Sequence, residues 1–243
     1  MANEHIVKSF DQELEALRRT IVQMGGLAES QLELAIQAVV RRDADLAGRV
    51  VRSDEQMDAY ETSIDAQVVQ ILALRQPFAG DLREVVSALR IASDLERIGD
   101  YSANIAKRSL ALAQVPVVRP VATLPRMGRM VQQIIKDVLD AYTERDLEKA
   151  LSAWRQDESV DDLYTSLFRE TLTYMMEDPR NITPCTHVLF IAKNIERIGD
   201  HATNIAELIH FLLTGKPIKD ARPKGDSSSF TVVIPEAKSE DSP

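Results

Sequence analysis

The sequence predicts an all-α protein: a tandem duplication of an antiparallel three-helix bundle, six long helices in all, with a disordered C-terminal tail. Three observations carry this. Apolar residues recur at helical spacing almost throughout, and strand-like alternation is confined to Phe230–Ile234 near the end. Aromatics are 5% of a chain that is 44% hydrophobic. The core must therefore come from Leu, Ile, Val, Ala and Met, a set that favours helices over a β-sandwich. Finally, the eleven residues from Glu96 to Ala106 return from Glu196 to Ala206 with eight identities.

The first helix is expected near 4–41, with Leu14, Leu17, Ile21 and Met24, then Leu32, Ile36, Val39 and Val40, setting its spacing. Arg42-Asp43 makes a short turn and Asp43 is placed to cap the next helix, near 44–75, whose stripe holds Ile64, Val68, Ile71 and Leu72. Gln76 to Asp81 forms a second turn, with Asp81 expected to cap a third helix near 82–114. The segment from Val115 to Pro120 ends that helix and serves as a linker.

The second half repeats the plan. Met24-Gly25, Asp43, Arg52, Asp54 and Asp58 match Met127-Gly128, Asp146, Arg155, Asp157 and Asp161, each 103 positions on. After the next turn the offset is 100, so the turn from Glu177 to Asn181 is three residues shorter. Helices near 122–145, 147–176 and 182–214 follow. The expected units are residues 1–116, 117–215 and a tail, 216–243, holding Pro, Ser, Lys and Asp with little to bury.

Composition narrows the function classes. A net charge of -9 argues against a nucleic-acid surface and permits a cation or a basic partner. The lone Cys185 precludes an internal disulfide and fits a reducing cytoplasm. The charged, amphipathic N-terminal stretch is not a signal sequence, and no apolar run is long enough to span a bilayer. The expectation is a cytoplasmic protein that meets a membrane only through partners.

The chemistry lies in acidic pairs spaced four apart, which share one face of a helix because they stand only about 40° apart around it. Asp54 and Asp58 form such a pair, and Glu96 and Asp100 form another on the following helix. Asp157 with Asp161 and Glu196 with Asp200 repeat them. A tight hairpin between the two helices brings Asp58 level with Ile98, between Glu96 and Asp100. In the second half it brings Asp161 level with Gly199, between Glu196 and Asp200. Four carboxylates at one level repel and call for compensation. A hard cation on oxygen ligands (Mg, Mn, Ca or iron) supplies it. Asn104 and Asn204, one turn on, can add an amide oxygen or orient a carboxylate. Gly99 and Gly199, costly in a helix interior, suggest close helix approach or space for something bound between helices. The competing reading is a solvated, salt-bridged face, since Arg97 can reach Asp100 along its own helix.

Other candidates are weaker. Glu207 and His210 have the Glu-x-x-His spacing of di-iron bundles, but Lys107 and Leu110 stand at the matching places. His201 matches Tyr101 and reads as packing, and His187 near Cys185 has no second ligand pair. No phosphate loop or nucleophile elbow is present.

The doubled Glu-Arg-Ile-Gly-Asp…Asn-Ile-Ala segment, with Arg75-Gln76-Pro77…Asp81-Leu82-Arg83 ahead of its first copy, resembles the PhoU family over roughly residues 8–214. The resemblance implies tandem three-helix bundles and metal ions at Asp54, Asp58, Glu96, Asp100, Asp157, Asp161, Glu196 and Asp200. It also implies a homodimeric, non-enzymatic repressor of the phosphate-starvation response that limits phosphate uptake. Such a protein links the ATPase of the phosphate ABC transporter to a two-component sensor histidine kinase. Asn181 and Thr183 depart from Asp81 and Arg83 of the first repeat. The alternative is a metal-dependent carboxylate-bundle enzyme acting on phosphate or dioxygen, although a di-iron site would favour His ligands in both halves.

Overall fold

The computed structural model describes residues 2–220 and Arg222. Six long helices account for nearly all of them: α1 (Ala2–Arg41), α2 (Ala44–Arg75), α3 (Ala79–Leu112), α4 (Leu124–Glu144), α5 (Leu147–Glu177) and α6 (Ile182–Thr214). α1–α3 and α4–α6 each pack as a three-helix bundle, and the bundles meet through α3 against α6 and α1 against α4. Among the described residues no helix is long and apolar enough to cross a membrane. Most of the expected tail, Phe230–Ile234 included, lies outside the described residues.

The turns work largely as their residues dictate. Asp43 is extended and its carboxylate accepts from the amides of Asp45 and Leu46 at 2.9 and 3.0 Å; Asp146 repeats the cap through Lys149 N at 3.0 Å. Each satisfies amides that the first helical turn leaves orphaned. Asp81 is a correction. Gln76, in the left-handed region at φ 46°, reverses the chain so tightly that α3 begins at Ala79, with Phe78 as an N-cap that forms no side-chain bond. Asp81 lies inside the first turn, where its charge faces the positive end of the helix dipole. In the linker, Arg119–Thr123 forms a 3-10 turn with Pro120 buried, so the chain drops directly into α4. Arg42 answers the other end of α3, donating to the Leu112 and Val115 carbonyls at 3.2 and 2.7 Å and also to that of Ala113.

The two bundles are joined reciprocally. A methyl on Gly25 would lie 2.3 Å from Leu139 Cδ2, and one on Gly128 would lie 2.7 Å from Ile36 Cγ1. Gly25 and Gly128 are equivalent positions, and so are Ile36 and Leu139. Each half thus seats its own branched side chain over the other half's glycine, as across an internal two-fold axis. α3 and α6 run antiparallel: Arg108 covers the Phe190 ring at 4.0 Å, and Tyr101 meets His201 with ring centroids 5.7 Å apart. An ion cluster around the buried Glu84 adds to the joint. Glu84 of α3 is held by Arg18 of α1 and by Arg145, which follows α4, at 2.5 Å.

Candidate metal centre

The four acidic pairs fall on the two hairpins as their spacing requires, on α2 with α3 and on α5 with α6. In the first half Asp54 feels the charges of Asp100 and Asp58, and Glu96 feels those of Asp100 and Glu61. In the second half Asp157 is coupled to Asp200, and Glu196 to Asp200 and Asp161. Burial is the first cause of the raised pKa at all four of Asp54, Glu96, Asp157 and Glu196, with neighbouring carboxylates adding to it. Glu96 and Glu196 are both pushed up to about 7. These are carboxylates short of positive charge.

The glycines of the repeat let the helices close on the acids. A methyl on Gly99 would meet Gln31 Oε1 at 3.0 Å and Met57 Cγ at 3.1 Å, and one on Gly199 would meet Asp157 Oδ1 at 3.1 Å. Close approach of neighbouring helices is therefore what these positions require.

Organic cations stand among the acids in both halves, and differently in each. Arg97 reaches Asp100 at 2.9 Å and Glu96 at 3.4 Å along its own helix. Its equivalent, Arg197, lies over the Tyr101 ring instead, 5.6 Å from its centroid. In the second half Lys193 holds Glu196 at 2.9 Å, and Arg222 reaches Asp157 at 2.6 Å and Asp200 at 2.7 Å. With the acids drawn to these partners, no three His, Cys, Asp or Glu side chains among the described residues form a ready metal-gripping group.

The donor chemistry fits a hard cation all the same. Asp157 Oδ1 and Glu196 Oε2 are buried with no hydrogen-bond partner, and the neighbouring Thr203 hydroxyl donates to the Gly199 carbonyl at 2.8 Å. A buried carboxylate oxygen left in this way is a costly feature that an ion would relieve. The second centre is also the drier one. Asp157, Asp161 and Glu196 are 1%, 3% and 5% exposed, whereas Asp58 is open to solvent and Asp54, Glu96 and Asp100 are half-buried.

The remaining candidates separate. Asn104 is exposed. Asn204 donates to Asp94 Oδ1 at 3.2 Å across the α3–α6 joint and accepts from Arg222 at 3.4 Å. His201 bonds Asp94 at 2.8 Å and stacks on Tyr101, in keeping with a packing role. Glu207 accepts from the Trp154 indole at 3.0 Å, while His210 turns to the Lys216 carbonyl at 2.9 Å, so the Glu-x-x-His pair is not one site.

Comparison with known proteins settles the family. PhoU domains match residues 21–109 and 124–209. The chain belongs to the PhoU family. A PhoU homolog of the phosphate-specific transport system from Caulobacter vibrioides is 52% identical over 224 residues, covering 92% of this chain and 97% of that protein. One from Rhizobium meliloti is 50% identical over 230 residues, covering 94% and 97%. The crystal structure of PhoU from Pseudomonas aeruginosa superposes with a TM-score of 0.83 at 40% identity, over 85% of this chain and all of that one. The phosphate transport system regulatory protein PhoU from Streptococcus pneumoniae gives 0.81 at 31% identity, over 86% and 99%.

Against this PhoU frame, three charged residues of the centres escape the motif reading. Glu61 joins the first cluster, and its equivalent in the second half is Tyr164, so a search for duplicated acids passes over it. Lys193 stands three before Glu196, a spacing that signals an ion pair on one helix face. Arg222 sits in the expected tail and has no signal in the sequence.

Proposed function

We propose that this chain is a cytoplasmic, metal-binding negative regulator of the phosphate-starvation response and of phosphate uptake. It couples the phosphate ABC transporter, through its ATPase, to a two-component sensor histidine kinase. Family membership gives it a regulatory rather than a catalytic role in phosphate transport. The relatives it matches are described as accessory and regulatory proteins of the phosphate transport system.

The observation that carries the metal reading is the under-compensated carboxylate centre, built twice. Asp54, Asp58, Glu96 and Asp100 would hold one ion or group of ions, and Asp157, Asp161, Glu196 and Asp200 the other. Bound there, Mg, Mn or iron supplies charge neutralisation across a helix pair. The protein's part is to hold the acids on rigid helices, with Gly99 and Gly199 admitting close approach. The centres then serve as staples for each bundle or as docking points on the partners, and the molecule acts as a homodimer.

Two experiments test this. Deleting the gene should derepress phosphate-responsive transcription and raise phosphate uptake in phosphate-rich medium; unchanged expression and uptake would refute the regulatory reading. Elemental analysis of protein purified without chelator should find metal that declines with Glu96→Ala and Glu196→Ala. Metal-free wild-type protein would refute the metal reading on its own.

A further inference from the structure

The guanidinium of Arg222 is built into the second centre. Its Nη2 lies 2.6 Å from Asp157 Oδ2 on α5 and 2.7 Å from Asp200 Oδ1 on α6, and 3.3 Å from the Asp200 carbonyl. Nε adds 3.1 Å to Asp157 Oδ2, and Nη1 adds 3.4 Å to Asn204 Oδ1. Only 15% of the Arg222 side chain is exposed. One nitrogen thus bridges the two helices through a carboxylate oxygen of each, which is the place a cation shared by Asp157 and Asp200 would take. The chain leading to it is seated as well. After Gly215 ends α6 with φ 72°, Ile218 packs on the core, and Pro217, Ile218 and Asp220 line a cleft with Asp94, Asn204 and Glu207. The motif's own arginine has vacated this centre for Tyr101.

We propose that Arg222 is a built-in occupant of the second carboxylate centre, and that it and a divalent cation exclude each other there, so that metal binding releases Arg222 and residues 216–220 from the α6 surface. The proposal rests on the metal reading above. A divalent ion bonds carboxylate oxygens at about 2.0–2.6 Å depending on the ion. Bound to Asp157 Oδ2 and Asp200 Oδ1 it would overlap Nη2, and a guanidinium a few ångströms off would be repelled in a low-dielectric pocket. The buried orphans, Asp157 Oδ1 and Glu196 Oε2, show that the guanidinium compensates the centre only in part. That leaves a stronger cation something to gain. Among the described residues the first centre has no such occupant from outside its hairpin: its guanidinium comes from Arg97 on the same helix, more than half exposed and able to swing into water. The two centres should therefore respond to metal differently, and only the second should move a segment of the chain.

The test uses the full chain carrying Asp58→Asn and Asp100→Asn to silence the first centre, with and without Arg222→Ala. Mn2+ is titrated by calorimetry, and hydrogen exchange is followed over residues 216–220. A latch that is closed about ten times in eleven lowers apparent affinity about tenfold, so removing Arg222 should tighten Mn2+ binding by about that factor. Arg222→Lys, which keeps the charge but loses the fork, should fall between. In protein that retains Arg222, Mn2+ should strip exchange protection from 216–220. Equal or weaker affinity without Arg222 would overturn the latch while the metal site stands, and so would Mn2+ binding that leaves 216–220 protected. Absence of Mn2+ binding in the untouched wild type as well as in every variant would instead remove the metal reading and the latch with it.

Discussion

Changing Glu196 to Gln should stabilise the metal-free protein at alkaline pH. Glu196 is 5% exposed, and burial pushes its carboxyl from an ordinary 4.5 to about 7 despite Lys193 at 2.9 Å. The sign follows from proton counting. Below 4.5 both folded and unfolded chains hold the proton, and the contribution to stability is full. As pH rises, the unfolded chain gives the proton up first, so stability falls until the folded chain releases it too, through about 7, and is flat above. With each tenfold step worth about 1.4 kcal/mol, the loss between pH 5 and pH 8 is roughly 2 kcal/mol. For a chain of this size that is about 4–8 °C in melting temperature. Chelator-treated wild type and Glu196→Gln should therefore melt close together at pH 5 and separate by about that amount at pH 8, with the variant higher. Glu96, half-buried and also raised to about 7, gives the wild type a second, smaller slope that Glu96→Gln removes. Added Mn2+ should close the gap from the wild-type side, since the ion favours the ionised centre. Parallel stability curves for wild type and Glu196→Gln from pH 5 to pH 8 would refute the assignment of a strained, ion-seeking carboxylate at this position.

Three other outcomes follow from the fold. Gly25→Ala should destabilise by about 1–2 kcal/mol, because overpacking against Leu139 outweighs the helical preference for Ala. Combined with Leu139→Ala it should show a favourable coupling of about 1 kcal/mol in a urea-denaturation double-mutant cycle, and strict additivity would deny the contact. Arg145→Ala removes one of two partners from the buried Glu84 and should cost about 2 kcal/mol in the same assay. Asp43→Ala leaves the Asp45 and Leu46 amides without their acceptor and should cost about 1 kcal/mol.

The duplicated skeleton was legible in the sequence because it is written in local rules. Asp43 and Asp146 are caps that need only their own next turn, and the level of Asp58 against Glu96 and Asp100 follows from a short hairpin and the rise of a helix. What stayed hidden is set between halves. Arg42 and Arg145 are equivalent, both with positive φ, yet Arg42 closes the end of α3 while Arg145 crosses to Glu84. Nothing in either neighbourhood tells them apart, because the difference lies in what the other bundle presents. Glu84 itself has Pro184 as its equivalent and so drops out of any repeat comparison. Arg222 follows a stretch with no apolar period, and its partners Asp157 and Asp200 lie far from it in the sequence. Met24-Gly25 and Met127-Gly128 were visible as a repeat, but their reason, a seat for Leu139 and Ile36, is tertiary.

The joint between the halves keeps the repeat at its glycine seats, although Glu84 and Arg108 of the same joint have Pro184 and Leu208 as equivalents. Where the bundles meet, a glycine of each half receives a branched side chain of the other, so both members of each such contact must be kept. Gly25 with Leu139 and Gly128 with Ile36 are bound in this way. The carboxylate centres lie within each hairpin. There the copies have parted. Glu61 stands where the second half has Tyr164, whose ring lies under the Lys193 ammonium at 4.9 Å, and Arg97 grips its acids where Arg197 leaves them. The same eight acids therefore sit in two electrostatic settings. One is open to water and compensated in part by an arginine of its own helix. The other is dry, partly orphaned and bridged from the C-terminal segment. An ion bound at the second would sit in the drier of the two surroundings. The duplication thus carries one pattern of acids into two different surroundings on one frame.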